Sequence, residues 1–267
     1  MERNATSGAG AVILEEDGVF RNPEFIARAI RERRRQRAFA REFTEFAARA
    51  EVGGPRFPMT WEDRYPCLDD RTAVTAFDRH YVLHTAWAAR VLARTRPARH
   101  VDVSSNLYFV TAVSAFVPTT FYDYRPAKLE LSGLESLAGD LMRLPFADRE
   151  VESLSCMHVV EHVGLARYGE PMDPDGDLKA MRELARVVAP RGSLLFVVPV
   201  GQPRIQFNAH RIYAYEQILD AFRELELAEF ALIPDDERQG GLVVGADPAL
   251  VCRQRYACGC FWLRRPG

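Results

Sequence analysis

The chain has 267 residues, 48% of them apolar, and sets 35 Lys and Arg against 37 Asp and Glu for a net charge of −2. That length suits one large domain with an extension, and so even a charge leaves no basic footprint for a nucleic-acid partner. No apolar run is long enough to span a bilayer, Met1 to Gly10 lack the charged start and apolar core of a signal peptide, and the five cysteines read as reduced thiols, so a cytoplasmic protein not integral to a membrane is expected.

A frayed start is expected over residues 1–20. Asn22 as N-cap, Pro23 at the first helical position and Glu24 in the first turn then open a long helix. Phe25, Ala29, Ile30, Phe39, Phe43, Phe46 and Ala50 recur near helical spacing, and Gly53-Gly54 closes the segment. Its middle carries Arg31, Arg33, Arg34, Arg35 and Arg37. The run reads as a solvated helix face or as a surface for a protein partner or other anionic surface. Lys128 and Lys179 are the only lysines, so arginine runs here also reflect a coding bias. Residues 55–71, with Pro55, Pro58 and Pro66, form a loop. We expect 1–75 to be a helical extension with its loop, and 76–267 to be the main domain.

A second helix is expected from about Asp78 to Arg94, with Tyr81, His84, Trp87, Ala88, Val91 and Leu92 on its core face. From Arg99 onward strands alternate with helices. His100 to Val103 is a strand; Ser104-Ser105-Asn106 turns into a helix over 107–116 that Pro118 ends. Thr119 to Tyr124 is a second strand, and 135–138 a weaker third that stops at Gly139-Asp140. Ser153 to Met157 enters the group His158, Glu161 and His162, and a helix from Leu178 leads to the apolar run 193–199. Strand, helix and strand in that order make a right-handed crossover between parallel strands. Helix 215–225, strand 227–233, a polar excursion over 235–248 and strand 256–263 complete the chain.

Acidic residues at the ends of the first two strands suit an adenosine-like cofactor. Asp123 follows Asp102 by about twenty residues, the spacing of a ribose-binding carboxylate. The order of elements over residues 78–264 resembles class I S-adenosylmethionine-dependent methyltransferases. That resemblance implies an α/β, Rossmann-like fold with a seven-stranded, mostly parallel sheet, helices on both faces and a last strand inserted antiparallel beside the fifth. In it Asp102, Ser104, Ser105 and Asn106 take the place of the glycine-rich first motif. Asp123 takes the ribose position, and Asp140 with Leu141 the adenine position. Leu144-Pro145-Phe146, the pair Glu161-His162, and Pro190-Arg191-Gly192 resemble further family motifs. The run from Glu161 to Asp177, with Phe207 to Tyr213, more closely resembles an uncharacterised family of methyltransferase-like domains, some from bacterial surface-polysaccharide gene clusters.

Methyl transfer to a hydroxyl needs an in-line geometry and a proton acceptor. His158 is the first candidate base and His210 the second, each with a structural histidine as the plain alternative; Glu161 orients a histidine or caps a turn. Arg167 and Arg211 could clamp an anionic acceptor, with His162 and Asn208 beside them. No metal is expected. His80 and His84 stand four apart on a helix, but no further ligand is placed. Asp173, Asp175 and Asp177 lack the Glu of a calcium loop, since Leu184 holds that position, and Asp177 reads as a helix cap. Cys252, Cys258 and Cys260 are not spaced as zinc pairs, and Cys258 and Cys260 share one strand face. Three readings stay open: methyl transfer to a small molecule such as a sugar or nucleotide-linked sugar, a non-catalytic assembly module, or a nucleotide-sugar enzyme using the same cleft.

Overall fold

The computed structural model describes residues 23–52 and 54–267, so the expected Asn22 cap, the frayed start and Gly53 lie outside the described residues. The chain divides into two compact units, Met1–Ala76 and Phe77–Gly267.

In the first unit, helix α1 runs over Pro23–Glu51. The segment that follows folds back along it. Arg35 donates to the Leu68 carbonyl and, at 2.6 Å, to Asp69, so one member of the arginine run is tied down within the unit. Arg71 meets Glu42 at 3.1 Å, and Trp61 packs edge-on against Phe43, ring centroids 4.9 Å apart.

The second unit begins with helix α2, Arg79–Thr95, capped by the Asp78 carboxylate accepting from Tyr81 N–H. Strand β1 (His100–Val103), helix α3 (Leu107–Val113), strands β2 (Thr119–Asp123), β3 (Leu134–Ala138) and β4 (Val151–Met157), helix α4 (Gly176–Val187) and strand β5 (Val188–Val200) follow. A short hairpin, β6 (Arg204–Gln206) and β7 (His210–Ile212), precedes helix α5 (Tyr215–Ala221), β8 (Glu226–Ile233), β9 (Val243–Val244) and β10 (Ala257–Arg264).

The sheet order is β3-β2-β1-β4-β5-β10-β8-β9. Strands β1 to β5 are mutually parallel, while β10 runs antiparallel between β5 and β8. This is the Rossmann-like class I methyltransferase order. The sheet has eight strands, not the expected seven: the two residues of β9 add to the free edge of β8. They lie in the glycine-containing excursion, too short for any periodicity to mark.

Residues of β5 alternate between two cores. Leu194, Phe196 and Val198 pack on one face with α4 and α5; Leu195 and Val197 pack on the other with α2 and α3. A strand buried on both faces reads as a continuous apolar run for this reason. Cys258 and Cys260 share the α2 face, as their alternation requires. No described helix is long and apolar enough to cross a membrane.

Candidate active site

In an open parallel sheet, ligands bind outside the carboxyl ends of the strands, where the strand order reverses. Here that point lies between β1 and β4. A non-glycine residue with left-handed backbone follows each of these strands: Ser104 with φ 57° after β1 and His158 with φ 58° after β4. Such backbone strain gathers at functional sites because the surrounding structure must enforce it. Ser104 is held by its N–H on the Tyr122 carbonyl, 2.8 Å, and His158 by its N–H on the Val197 carbonyl, 2.8 Å.

The loop from Ser104 to Asn106 stands on a buried polar chain. Asp102 is fully buried; its carboxylate accepts from Ser105 N–H at 3.0 Å and from the Ser155 hydroxyl. Ser155 Oγ lies 2.8 Å from His100 Nε2, and His100 Nδ1 lies 2.8 Å from Ser153 Oγ. Because Ser155 gives its proton to Asp102, His100 must carry its own on Nε2. Burial drives both groups toward neutrality, raising Asp102 to about 6 and lowering His100 to about 3. Ser105 Oγ accepts from Met157 N–H at 3.0 Å and so ties the loop to β4. Asn106 caps α3 through Tyr108 N–H.

At the ends of β2 and β3, Asp123 Oδ1 accepts from Arg125 N–H at 2.7 Å, and Asp140 Oδ1 accepts from Met142 N–H at 2.8 Å. Both are short-range turn bonds that fix the carboxylates at the same sheet edge as Ser104. Past β4, a single 3-10 turn, Val160–His162, and a closed loop follow. Gly164 has φ 79°, and a side chain there would meet the Asp173 carbonyl at 2.1 Å, so only glycine allows the loop to close. Tyr168 of this loop lies 4.7 Å from the Arg125 guanidinium, bridging the β4 side to the β2 side of the β1 end.

A second group of residues surrounds His158. Its Nδ1 is 2.8 Å from Glu161 Oε1, and both side chains are buried. Burial opposes ionisation of Glu161, but the hydrogen bond and charge of His158, with His162 beyond, outweigh it and hold the carboxyl below its ordinary value. His162 Nε2 is 3.8 Å from the same carboxylate. Ring neighbours of His158 are Tyr81 (5.3 Å), His80 (5.7 Å) and His84 (5.0 Å), all from α2. Tyr256 stacks between His80 at 5.3 Å and His210 at 4.8 Å. Cys258 Sγ lies 3.4 Å from His158 Nε2. Five of the six histidines thus gather here, the sixth being His100.

Not every expected residue presents its side chain at this end of the sheet. Asp102 lies beneath the loop it shapes, and Leu141 belongs to the core. Arg211 is buried, donating to the carbonyls of Val163 (2.7 Å) and Pro174 (3.1 Å), and it lies 3.5 Å from Asp177. Asp177 is therefore no helix cap: Asp175 holds that position, and Asp177 also accepts from the Tyr213 hydroxyl at 2.9 Å. Arg167 donates to the Ala209 carbonyl at 3.0 Å, where His162 Nδ1 also points. Asn208 is exposed beyond β6, and His210 Nε2 meets Gln206 at 2.7 Å. Tyr81 and Cys258, which sequence reasoning assigned to packing, and Tyr256, read only as the start of the last strand, are site neighbours. A cleft of about 530 Å³ at the amino ends of the strands is bordered by Arg149, Arg186 and Arg265. Arg186 is matched there by Glu183 and Asp148 and Arg265 by Glu224, so that cleft is an ion-pair network.

A family model described as Caenorhabditis protein of unknown function, DUF268, matches residues 147–227. No curated protein matches the chain. Among solved structures, the chain is similar to the N-methyltransferase NodS from Bradyrhizobium japonicum WM9 in complex with S-adenosyl-L-homocysteine. Identity is 14%, the TM-score 0.48, and coverage 74% of this chain and 93% of that one. It is also similar to Burkholderia thailandensis 1,6-didemethyltoxoflavin-N1-methyltransferase, at 11% identity and TM-score 0.48 over 94% of this chain and 93% of that one. The [4+2]-cyclase SpnF aligns at 15% identity and TM-score 0.45, covering 68% and 80%.

Proposed function

We propose that the chain transfers a methyl group from S-adenosylmethionine to a hydroxyl of a small molecule, a sugar or nucleotide-linked sugar of surface-polysaccharide synthesis. One observation carries the reading: Ser104 to Asn106, Asp123 and Asp140 stand at the carboxyl ends of three neighbouring parallel strands, beside the His158–Glu161 pair at the end of the fourth.

The residues fit the cofactor. The turn at Ser104 keeps the left-handed conformation that glycine ordinarily supplies to a nucleotide loop. Among the described residues, Asp123 is engaged only through Oδ1, leaving Oδ2 to accept from ribose hydroxyls. Asp140, likewise bonded only at Oδ1, serves the adenine amino group. When bound, S-adenosylmethionine supplies an electrophilic methyl group. The chain's own residues then hold the acceptor in line and take its proton. With Nδ1–H donated to Glu161, His158 Nε2, which faces Cys258 Sγ at 3.4 Å, takes the acceptor proton once the hydroxyl replaces the thiol there, and the anionic Glu161 stabilises the imidazolium that forms. His210 is the second candidate base. Tyr81, 38% exposed and stacked on His158, offers an aromatic face on which a sugar ring can lie, which supports the sugar reading.

The second reading is a non-catalytic module that serves as an assembly partner, or an enzyme that holds a nucleotide-sugar in the place of the cofactor. It is favoured by Ser104 and Asn106 standing where nucleotide loops use glycine for close approach. Calorimetry separates the two. Saturable S-adenosylmethionine binding with no heat from a nucleotide-sugar supports the first, and the reverse supports the second.

A further inference from the structure

We infer that His80, His158 and Cys258 form a binding site for a divalent transition ion of the zinc class, beside the Glu161 carboxylate. One ligand atom from each lies within 4.8 Å of the other two. His80 comes from α2, His158 from the end of β4, and Cys258 from the start of β10, so only the folded sheet brings them together.

Zinc holds sulfur at about 2.3 Å and nitrogen at about 2.0–2.1 Å in a tetrahedron, which sets a sulfur–nitrogen edge of about 3.5 Å. His158 Nε2 and Cys258 Sγ are 3.4 Å apart, the length of that edge. The His80 nitrogen needs to close by about 1 Å, within the reach of a side-chain torsion.

The partner atoms around the ligands agree with this assignment. Glu161 Oε1 accepts from His158 Nδ1, so the proton sits on Nδ1 and the Nε2 lone pair faces Cys258. Carboxylate, histidine and metal in that order is the usual arrangement behind a ligating imidazole. His84 is a second, independent observation. It donates Nδ1–H to the His80 carbonyl at 2.6 Å, leaving a buried Nε2 lone pair that has no partner among the described residues, in a ring 5.0 Å from that of His158. A buried lone pair without a donor is costly, and a cation beside it offsets that cost. Zinc takes the thiolate, so binding displaces the single Cys258 proton to solvent. Three protein ligands leave a fourth position for water or an acceptor oxygen.

The site does not depend on methyl transfer, but the two compete for one atom, His158 Nε2. With a metal bound, His158 Nε2 would be a ligand and so would not serve as the proton acceptor, and the fourth position would be open to water or an acceptor oxygen.

The test uses the full chain, stripped with a chelator and titrated with zinc and with cobalt as a spectroscopic probe. The expected result is one equivalent bound per chain. Cobalt should give tetrahedral visible bands and a thiolate-to-cobalt charge-transfer band. Cys258→Ser should abolish the charge-transfer band, His80→Ala should weaken binding at least a hundredfold, and Glu161→Gln should weaken it about 10–100-fold. Cys252→Ser, at an exposed cysteine, should change none of these. Should a ligand variant fail to fold, X-ray absorption on the wild type decides: one sulfur and two imidazole nitrogens are expected. Binding below a tenth of an equivalent, a metal shell without sulfur, or affinity unchanged in both ligand variants would overturn the proposal. Zinc binding without S-adenosylmethionine binding would remove the methyltransferase reading alone.

Discussion

His158 Nδ1 and Glu161 Oε1 stand 2.8 Å apart, three residues apart in the chain and both on buried side chains. Among the described residues, Glu161 Oε2 is buried without a hydrogen-bond partner, while Oε1 faces His158. If His158 Nε2 takes the acceptor proton, His158→Ala should lower turnover by about a hundredfold or more and leave S-adenosylmethionine affinity nearly unchanged. Glu161→Gln keeps an acceptor for Nδ1–H but loses the charge, and should lower kcat by at least about tenfold with little effect on KM. Steady-state kinetics alongside cofactor calorimetry checks both; an unchanged turnover in His158→Ala would sink the assignment.

Cofactor affinity should depend on Asp123. A charge-assisted hydrogen bond contributes about 1.5–3 kcal/mol, so Asp123→Ala should weaken S-adenosylmethionine binding by about 10–100-fold. The carboxylate's one internal bond is to Arg125 N–H, two residues on, so the melting temperature should barely change. Equal cofactor affinity in wild type and variant would remove Asp123 from the site.

Ser104 probes the strained turn. At φ 57° a β-branched side chain is worse than serine, so Ser104→Val should lower the unfolding free energy by about 1–3 kcal/mol. Ser104→Gly should fold as well as the wild type, losing only the 3.2 Å bond from Oγ to the Tyr122 carbonyl, and should bind S-adenosylmethionine more tightly because the backbone is open to close approach. Denaturant titration and calorimetry give the two readouts. Equal stability of the Val and Gly variants would contradict the backbone account.

The buried Asp102–Ser155–His100 chain gives opposed pH effects. Asp102 has a folded pKa raised from 3.8 to about 6, so between those values the folded state holds a proton the unfolded state has released, and stability falls as pH rises. His100 has a folded pKa lowered from 6.5 to about 3, so over that window the unfolded state holds the extra proton, and stability rises with pH. Across pH 4–6 the two contributions nearly cancel. Asp102→Asn should expose the His100 slope, a gain of about 1.4 kcal/mol per pH unit. His100→Gln should expose the opposite slope from Asp102. Urea titrations across this range check the signs; parallel pH profiles in both variants would disprove the opposition.

Arg211 and Asp177 form a buried pair at 3.5 Å that braces the loop after β4 from below. Arg211→Met leaves Asp177 charged and unpaired, and should cost about 3–5 kcal/mol. Adding Asp177→Asn should recover much of that loss, because the uncompensated charge is gone while Asn still accepts from Tyr213. A double variant no more stable than the single would show that the carbonyl bonds of Arg211, not the ion pair, carry its effect.

The sequence by itself determined the order of elements and the edge of the sheet that matters. Alternating apolar periods marked the crossover units. Chirality and twist leave few ways to wind such units, so Asp123, Asp140 and His158 could be assigned to strand ends before any coordinate was known. Local signals likewise placed the Asp78–Arg94 helix, which runs Arg79–Thr95, and the shared face of Cys258 and Cys260. Only the tertiary structure decided which way a charged side chain turns at a strand end. Asp102 and Arg211 read as ligand contacts, yet both are turned under their loops, because buried carbonyls and N–H groups there need partners more than solvent does. The histidine cluster was also beyond sequence reading. Spacing rules detect metal ligands that share a turn or a helix, whereas His80, His158 and Cys258 come from a helix and two non-adjacent strands up to 178 positions apart, a distance at which local chemistry leaves no periodic trace.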